Sequence, residues 1–260
     1  MKKKATVLIT GASGGIGAEL AQLFAQKGFN LVLVARQEEK LQQLAQKFQE
    51  QYKVKVTVVA QDLTKPDAPA RIFETLKAED IPVEILVNNA GFGEYGFFEE
   101  ISLQRQLDMM QVNMRALVHL SRLFLEQLSK TSEGKILNIA STAAFQPGPL
   151  MAVYFATKAF VLSFSEAIAN ELKQRNVTVT ALCPGPTSTG FERQANLEGS
   201  NLFAGKLASA AEVAKAGYDA LMAGETVIIP GVKNKIMALS TRLAPRRFVT
   251  SLVRYLQEKK

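Results

Sequence analysis

Seven short apolar runs, each divided from the next by a longer stretch, constrain this chain more than any other feature. They are Ala5–Thr10, Leu31–Ala35, Val54–Ala60, Ile85–Asn88, Lys135–Ala140, Val177–Leu182 and Val227–Ile229. Val, Ile and Leu fill them almost without interruption, whereas a strand with one wet face alternates apolar and polar residues. Strands buried on both faces read this way. The intervening stretches carry helical periodicity at 16–28, 38–52, 67–79, 103–130, 151–175 and 210–222. This β-α-β-α order predicts an α/β protein, a doubly wound parallel sheet of seven strands with helices on both faces and right-handed crossovers. A chain of 260 residues with 47% apolar content has the material for that core. Residues 1–231 form the expected single domain, with no repeat, low-complexity segment or linker, and 232–260 an extension of different character. The one long stretch without clear periodicity is Gly190–Ser209.

The first run ends in Thr10-Gly11-Ala12-Ser13-Gly14-Gly15-Ile16-Gly17, followed by a helical pattern. Glycines in such a turn permit positive φ, close backbone approach to a pyrophosphate and tight packing of helix on strand. The helix start then offers free N–H groups and a partial positive charge to the phosphates. A dinucleotide site in a Rossmann-like sheet is the expectation, although the spacing is Gly-x-x-x-Gly-x-Gly rather than Gly-x-Gly-x-x-Gly.

Arg36 follows the second strand where an acid would hold the ribose 2′-hydroxyl of NAD, and no acid occurs before Glu38. A guanidinium there suits the 2′-phosphate of NADP(H); the alternative is an exposed arginine that starts a helix. Asp62-Leu63 falls after the third strand, where an adenine would lie, and Asn88-Asn89-Ala90-Gly91 ends the fourth with small residues. These turns share the carboxyl edge of the sheet, where ligands of such folds bind.

Tyr154 and Lys158 are four residues apart in a helix expected to begin near Leu150, so they share one face. Ser141 lies just past the fifth strand, close enough for its hydroxyl to return over the helix start. A neighbouring ammonium favours phenolate and lowers a tyrosine pKa. A hydroxyl nearby can hold a carbonyl oxygen while the tyrosine gives or takes a proton. A surface Tyr–Lys pair at helical spacing is the competing reading.

Taken together, TGASGGIG, NNAG, Asn113, Ser141 thirteen residues before Tyr154, YFATK and PGPTST at 184–189 resemble the short-chain dehydrogenase/reductase family over residues 5–230. The resemblance implies that Tyr154 is the general acid/base, and that Lys158 lowers its pKa and holds the nicotinamide ribose. It implies that Ser141 orients the substrate oxygen, and that Asn113, interrupting its helix, holds a water linking Lys158 to solvent. Gly11, Ser13, Gly15, Ile16, Gly17, Arg36, Asp62, Leu63, Asn89, Ala90 and Gly91 would bind the cofactor. Pro184, Gly185, Thr187 and Thr189 would grip its nicotinamide, with Thr187 in place of the valine more often seen there. The implied activity is NADP(H)-dependent interconversion of a carbonyl and an alcohol; a non-catalytic NADP-binding sensor or scaffold is the alternative. A homodimer or homotetramer is also implied, built on helices 103–130 and 151–175 through Leu117, Leu120, Leu123, Phe124, Phe160, Leu162, Phe164 and Ile168.

For the substrate, Phe92–Phe98, Phe145, Leu150, Met151 and the segment 191–203 are aromatic or aliphatic with few fixed charges, which suits an apolar ketone or aldehyde. Gly190–Gly205 reads as a lid over the nicotinamide. The single cysteine, Cys183, excludes an internal disulfide, and the single histidine, His119, has no partner in sequence for a metal site, so no metal is expected. No run approaches the ~18–20 apolar residues of a membrane span, and the start Met1-Lys2-Lys3-Lys4 leads into too short an apolar run for a signal peptide. A cytoplasmic protein is the expectation.

Charge separates the extension from the body. Residues 232–260 hold eight basic residues and one acid, Glu258, which is the whole +7 surplus of the chain. The body is neutral, so nucleic acid is not an expected partner. Ile236, Leu239 and Leu243 recur at helical spacing, as do Phe248, Val249, Leu252, Val253 and Leu256 after Pro245. Two helices with one apolar stripe each follow. A cationic stripe of this kind, here within 233–257, either lies in an anionic membrane interface or packs on the body or on a partner subunit.

Overall fold

The computed structural model describes residues 4–131, 133–200, 207–241 and 243–258. Its elements run β1 (Thr6–Thr10), α1 (Gly15–Gln26), β2 (Asn30–Ala35), α2 (Glu38–Tyr52), β3 (Val56–Ala60), α3 (Ala68–Ala78) and β4 (Ile85–Asn88). Then come α4 (Leu103–Met110), a π-helical turn (Gln111–Ala116), α5 (Leu117–Ser129), β5 (Gly134–Ile139), a 3-10 turn (Thr142–Phe145) and α6 (Ala152–Glu171). A second 3-10 turn (Lys173–Arg175) precedes β6 (Val177–Leu182), β7 (Thr187–Ser188), α7 (Phe191–Gln194) and β8 (Ala208–Ser209). The chain closes with α8 (Ala210–Ala223), β9 (Val227–Ile228), α9 (Val232–Ser240) and α10 (Arg246–Gln257).

The seven-stranded sheet has the order β3-β2-β1-β4-β5-β6-β9 and is parallel throughout. Alternation of side chains explains the uninterrupted apolar runs. In β1, Val7 and Ile9 enter a core built with Leu20 and Phe24 of α1, Phe48 of α2 and Leu221 of α8. Leu8 enters the opposite core with Ile72 of α3, Phe124 of α5 and Ala169 of α6. In-register pairing of Val7 with Leu31, Leu8 with Val32 and Ile9 with Leu33 continues both layers into β2. A fully buried Phe such as Phe124 contributes about 1.5–3 kcal/mol.

The strand order reverses between β1 and β4, which opens a crevice at their carboxyl ends. Thr10 clamps that crevice: its hydroxyl donates to the Val87 carbonyl at 3.3 Å and accepts from the amides of Asn89 and Ala90, each at 3.0 Å. Beneath it, Asn88 donates to Ser121 at 3.1 Å and to Asn138 at 2.9 Å, and Asn138 donates to Ser165 at 2.9 Å. This buried chain of amides and hydroxyls locks β4 and β5 to α5 and α6.

Three sequence expectations change. The pattern expected as one helix over 103–130 is α4 and α5 joined through the π-helical turn around Asn113. Leu120 and Phe124 are sealed in the core, and Leu117 and Leu162 are buried, so the apolar surface left on these helices is smaller than their composition implies. Phe160 is exposed and stacks on Phe164 at 5.8 Å between ring centroids. The third is α6 itself, a 20-residue helix that by length and composition alone is long and apolar enough to cross a membrane. Its Tyr154, Lys158, Val161 and Ser165 are buried among the other elements, as in a core helix.

Candidate active site

After β5 the chain stays hydrogen-bonded to the end of β6: the Ala140 amide donates to the Leu182 carbonyl and the Thr142 amide to that of Pro184, both at 2.8 Å. Ser141 is thereby fixed at the strand's carboxyl end. Its Oγ accepts from the Ala143 amide at 3.0 Å and donates to the Pro184 carbonyl at 3.4 Å. Helix α6 begins at Ala152 rather than near Leu150. Pro147 and Pro149 disfavour helical backbone before them, and Leu150 is held in the left-handed region at φ 68°.

The first turns of α6 aim Tyr154 and Lys158 at the Ser141 loop, both buried at 9% and 5% exposure. The Tyr154 hydroxyl lies close enough to the Ser141 side chain for the two to interact. Lys158 Nζ donates to the Ile139 carbonyl at 2.8 Å and lies 5.8 Å from the centroid of the Tyr154 ring. Asn113 completes the group. Its amide donates to the Phe92 carbonyl at 2.9 Å and to Thr157 Oγ1 at 3.0 Å, and its carbonyl accepts from the Phe92 amide at 3.1 Å. These contacts use both amide hydrogens of Asn113 and one lone pair of its carbonyl oxygen, which leaves one acceptor position on the side facing Gly91 and Lys158.

Burial sets the protonation states. Desolvation pushes the Tyr154 phenol up to about 12, and the Ser141 side chain only partly opposes it. Burial, not the neighbouring Lys158, sets the direction of this shift. Burial likewise lowers Lys158 to about 8, with the Cys183 thiol a smaller opposing influence. At neutral pH the pair is therefore a neutral phenol beside an ammonium. Cys183 is buried and its thiol is pushed up to about 12 by desolvation, which leaves it inert.

The expected dinucleotide residues line the crevice. Gly11 and Gly15 take positive φ, 64° and 54°, as the turn requires. The α1 terminus starts from Gly14 with no side-chain cap, so its first amides remain open to an anion, and a Cβ on Gly14 would meet nothing within 4 Å. Ser13 is half-buried in the turn, Ile16 packs its side chain into the core, and Gly17 is buried against Gly11 and Asn89. Arg36 is exposed and makes no hydrogen bond or ion pair among the described residues. Asp62 accepts from the Thr64 amide at 3.0 Å, shaping the turn after β3, and Leu63 is buried in the core. Asn89 ties β4 to β1 through the Thr10 carbonyl at 2.8 Å, and Ala90 packs on the core.

Two close approaches join this cradle to the catalytic group. A Cβ on Gly91 would lie 3.1 Å from Asn113 Oδ1 and 3.4 Å from Lys158 Nζ. One on Gly15 would lie 3.1 Å from Thr189 Cβ, so the segment after β6 meets the glycine turn. Thr187 sits in β7, where its hydroxyl donates to the Gly185 carbonyl at 2.8 Å, and the Pro184 carbonyl holds Ser141. An uncapped helix start, a free guanidinium and a run from Gly11 to Thr189 along one edge fit a phosphorylated dinucleotide.

On the substrate side, Phe92, Tyr95, Met151 and Phe191 gather around Tyr154. The Phe191 ring lies 5.3 Å from that of Tyr154. Gly93 is squeezed between them: a Cβ there would come within 2.9 Å of both Met151 Cε and Phe191 Cζ. Of the other candidates, Leu150 is buried, Phe145 packs in a separate cluster with Cys183, and Phe97 and Phe98 are exposed. The expected lid is tied down by Asn196, which donates to Glu94 at 2.6 Å, and by the Tyr95 amide, which donates to the Ala195 carbonyl at 3.0 Å. Residues 201–205 of that stretch, Phe203 among them, lie outside the described residues.

Other residues reach the site with weaker sequence signals. Glu94 is held by Arg105 at 2.7 Å, and that guanidinium stacks over Phe92 at 4.2 Å from the ring centroid. Asn234 of α9 covers Gly185, whose Cβ would come within 2.6 Å of its amide nitrogen. Val249 and Val253 of α10 join the Tyr154 cluster. Helical periodicity marks the two valines as apolar, but nothing local says which stripe turns inward. A polar groove along α2, lined by Gln42, Gln46 and Gln49, lies beside the edge strand β3, away from these residues. No cluster of metal-ligating side chains occurs among the described residues, His119 included.

A profile of the short chain dehydrogenase family matches residues 5–199. The very-long-chain 3-oxoacyl-CoA reductase of Anas platyrhynchos is 34% identical over 196 residues, which are 73% of this chain and 62% of that protein. The chain thus spans about six-tenths of the length of that curated relative. A short-chain dehydrogenase from Sphingobium yanoikuyae, solved in complex with NADPH, superposes with a TM-score of 0.83 at 33% identity, covering 92% of this chain and 93% of that one. The bulky-bulky ketone specific alcohol dehydrogenase of Comamonas testosteroni superposes with a TM-score of 0.77 at 32% identity, covering 94% and 98%.

Proposed function

The chain belongs to the short-chain dehydrogenase family, and from that membership we propose that it is an NADP(H)-dependent oxidoreductase that reduces an apolar ketone or aldehyde to the alcohol. One observation carries the reading: Ser141, Tyr154 and Lys158 converge in a buried site, and the tyrosine is held neutral, as a proton donor must be. Bound NADPH supplies the hydride. The Ser141 hydroxyl turns from Pro184 to hold the substrate oxygen, and Tyr154 gives its proton to that oxygen as negative charge develops there. Lys158, still cationic at neutral pH, offsets the phenolate left behind. The uncapped amides of α1 hold the pyrophosphate and Arg36 the 2′-phosphate.

The NADPH complex of the Sphingobium relative supports the cofactor. Phe92, Tyr95, Met151 and Phe191 support an apolar substrate, in keeping with relatives named for a very-long-chain 3-oxoacyl-CoA and for bulky ketones. A homodimer or homotetramer would use Phe160 and Phe164 on the outer face of α6. Steady-state NADPH consumption with ketones and aldehydes of graded chain length, NADH run in parallel, tests the function. Turnover that rises with chain length and prefers NADPH is expected; no consumption across the series would leave an NADP-binding protein without turnover.

A further inference from the structure

Eight of the fifteen large apolar side chains left exposed among the described residues lie between Val232 and Tyr255. They are not scattered. In α9, Val232, Ile236 and Leu239 are four and three residues apart on one side of the helix, 74%, 62% and 60% exposed, while Ala238 faces inward. In α10, Phe248, Leu252 and Tyr255 repeat the same spacing outward, while Val249 and Val253 point into the Tyr154 cluster. Leu243 between the helices is 90% exposed. Arg254, on the flank of α10, stacks over the exposed Phe97 at 5.0 Å from the ring centroid. Two exposed apolar stripes on consecutive helices, with the exposed Leu243 between them, mark a contact surface.

Charge selects the occupant. Lys233 and Lys235 are exposed and flank the α9 stripe on either side, and Arg246 and Arg247 are exposed at the start of α10. The extension carries the whole +7 of the chain above a neutral body. Two copies pressed face to face would set these charges against each other, whereas a layer of anionic headgroups over hydrocarbon satisfies stripe and flanks together. We propose that the outer face of α9 and α10 docks on an anionic lipid surface, with Ile236, Leu239, Leu243, Phe248 and Leu252 entering the acyl boundary and the lysines and arginines at the headgroups. Docked in this way, α10 separates the bilayer from the Tyr154 cluster by the width of one helix.

The test is cosedimentation of the full-length protein with phosphatidylcholine vesicles, with and without phosphatidylserine, at low and high salt. Binding is expected only with phosphatidylserine, and at least about tenfold weaker at high salt. The double variants I236D/L239D and K233E/K235E should each weaken binding at least about tenfold with an unchanged melting temperature, because all four positions are exposed. A control reversal, K40E/K77E, on exposed lysines of α2 and α3, should leave binding unchanged. No binding of the intact protein to phosphatidylserine vesicles at low salt overturns the proposal, and so does equal binding by the I236D/L239D variant or an equal loss in the control. Light scattering on the same samples decides the remaining case: I236D/L239D turning a dimer into a monomer would assign the face to a second copy instead.

Discussion

The catalytic group on α6 and the helices after Gly231 are made of the same ingredients, apolar side chains interleaved with cations, arranged inside out relative to each other. Around Tyr154 and Lys158 the apolar residues enclose the polar ones, and desolvation moves both pKa values, up to about 12 and down to about 8. On α9 and α10 the apolar stripes face outward and the cations stand beside them in water. An ammonium does chemistry only where water is withdrawn from it, and it recruits an anionic surface only where water is left.

The largest effect expected from breaking this contrast is at Tyr154. Tyr154→Phe keeps the ring packed against Phe191 and removes only the hydroxyl that gives the proton, so kcat should fall about a thousandfold with NADPH affinity intact. Near-normal turnover would remove the tyrosine from the chemistry.

Lys158 sharpens the comparison through pH. Its folded pKa lies below the unfolded 10.5, so between about pH 8 and 10.5 the unfolded chain keeps a proton that the folded one has released. Stability from this group therefore rises with pH across that window and is flat below it. Against Lys158→Met, the cofactor-free wild type should gain about 2 kcal/mol between about pH 7.5 and 9.5 in denaturant titrations. Tyr154 acts in the opposite sense, losing stability as pH rises from 10 toward about 12, which is why the comparison stops short of that range. Parallel pH profiles for the two proteins would show that Lys158 is not desolvated.

Arg36 is a cation left in water at the cofactor end. Arg36→Asp should weaken NADPH at least about tenfold and leave NADH little changed, read by fluorescence titration. Equal loss for both cofactors would make the arginine structural. The smallest effects belong to the extension. Val253→Ala, on the buried side of α10, should cost about 1–2 kcal/mol, whereas Leu243→Ser, in the open, should stay within about 0.5 kcal/mol. If thermal melts reverse that order, the inner and outer faces have been exchanged.

Much of the fold was legible because each strand of the sheet is buried twice. Leu8 and Val7 serve opposite cores, so β1 had to read as a continuous apolar run, and the glycine turn after it had to lead into a helix. The catalytic residues were legible for a local reason: Tyr154 and Lys158 are one helical turn apart, and Ser141 sits at the end of the strand preceding their helix. Spacing along the chain therefore determined the order of strands and helices, the phosphate turn and the pairing of phenol with ammonium. Three things were decided only in three dimensions. The pKa direction of Tyr154 depends on how much water its neighbours exclude, and those neighbours, Phe191 and Val253 among them, come from distant segments. The break of one long helical pattern at Asn113 depends on that side chain reaching the backbone of Phe92 and the hydroxyl of Thr157, contacts across the fold. The two faces of α10 carry apolar residues of the same kind, Val249 and Val253 on one and Phe248 and Leu252 on the other. Helical periodicity treats them alike, and only the docking of that helix against the Tyr154 cluster turns one pair inward and leaves the other to the solvent.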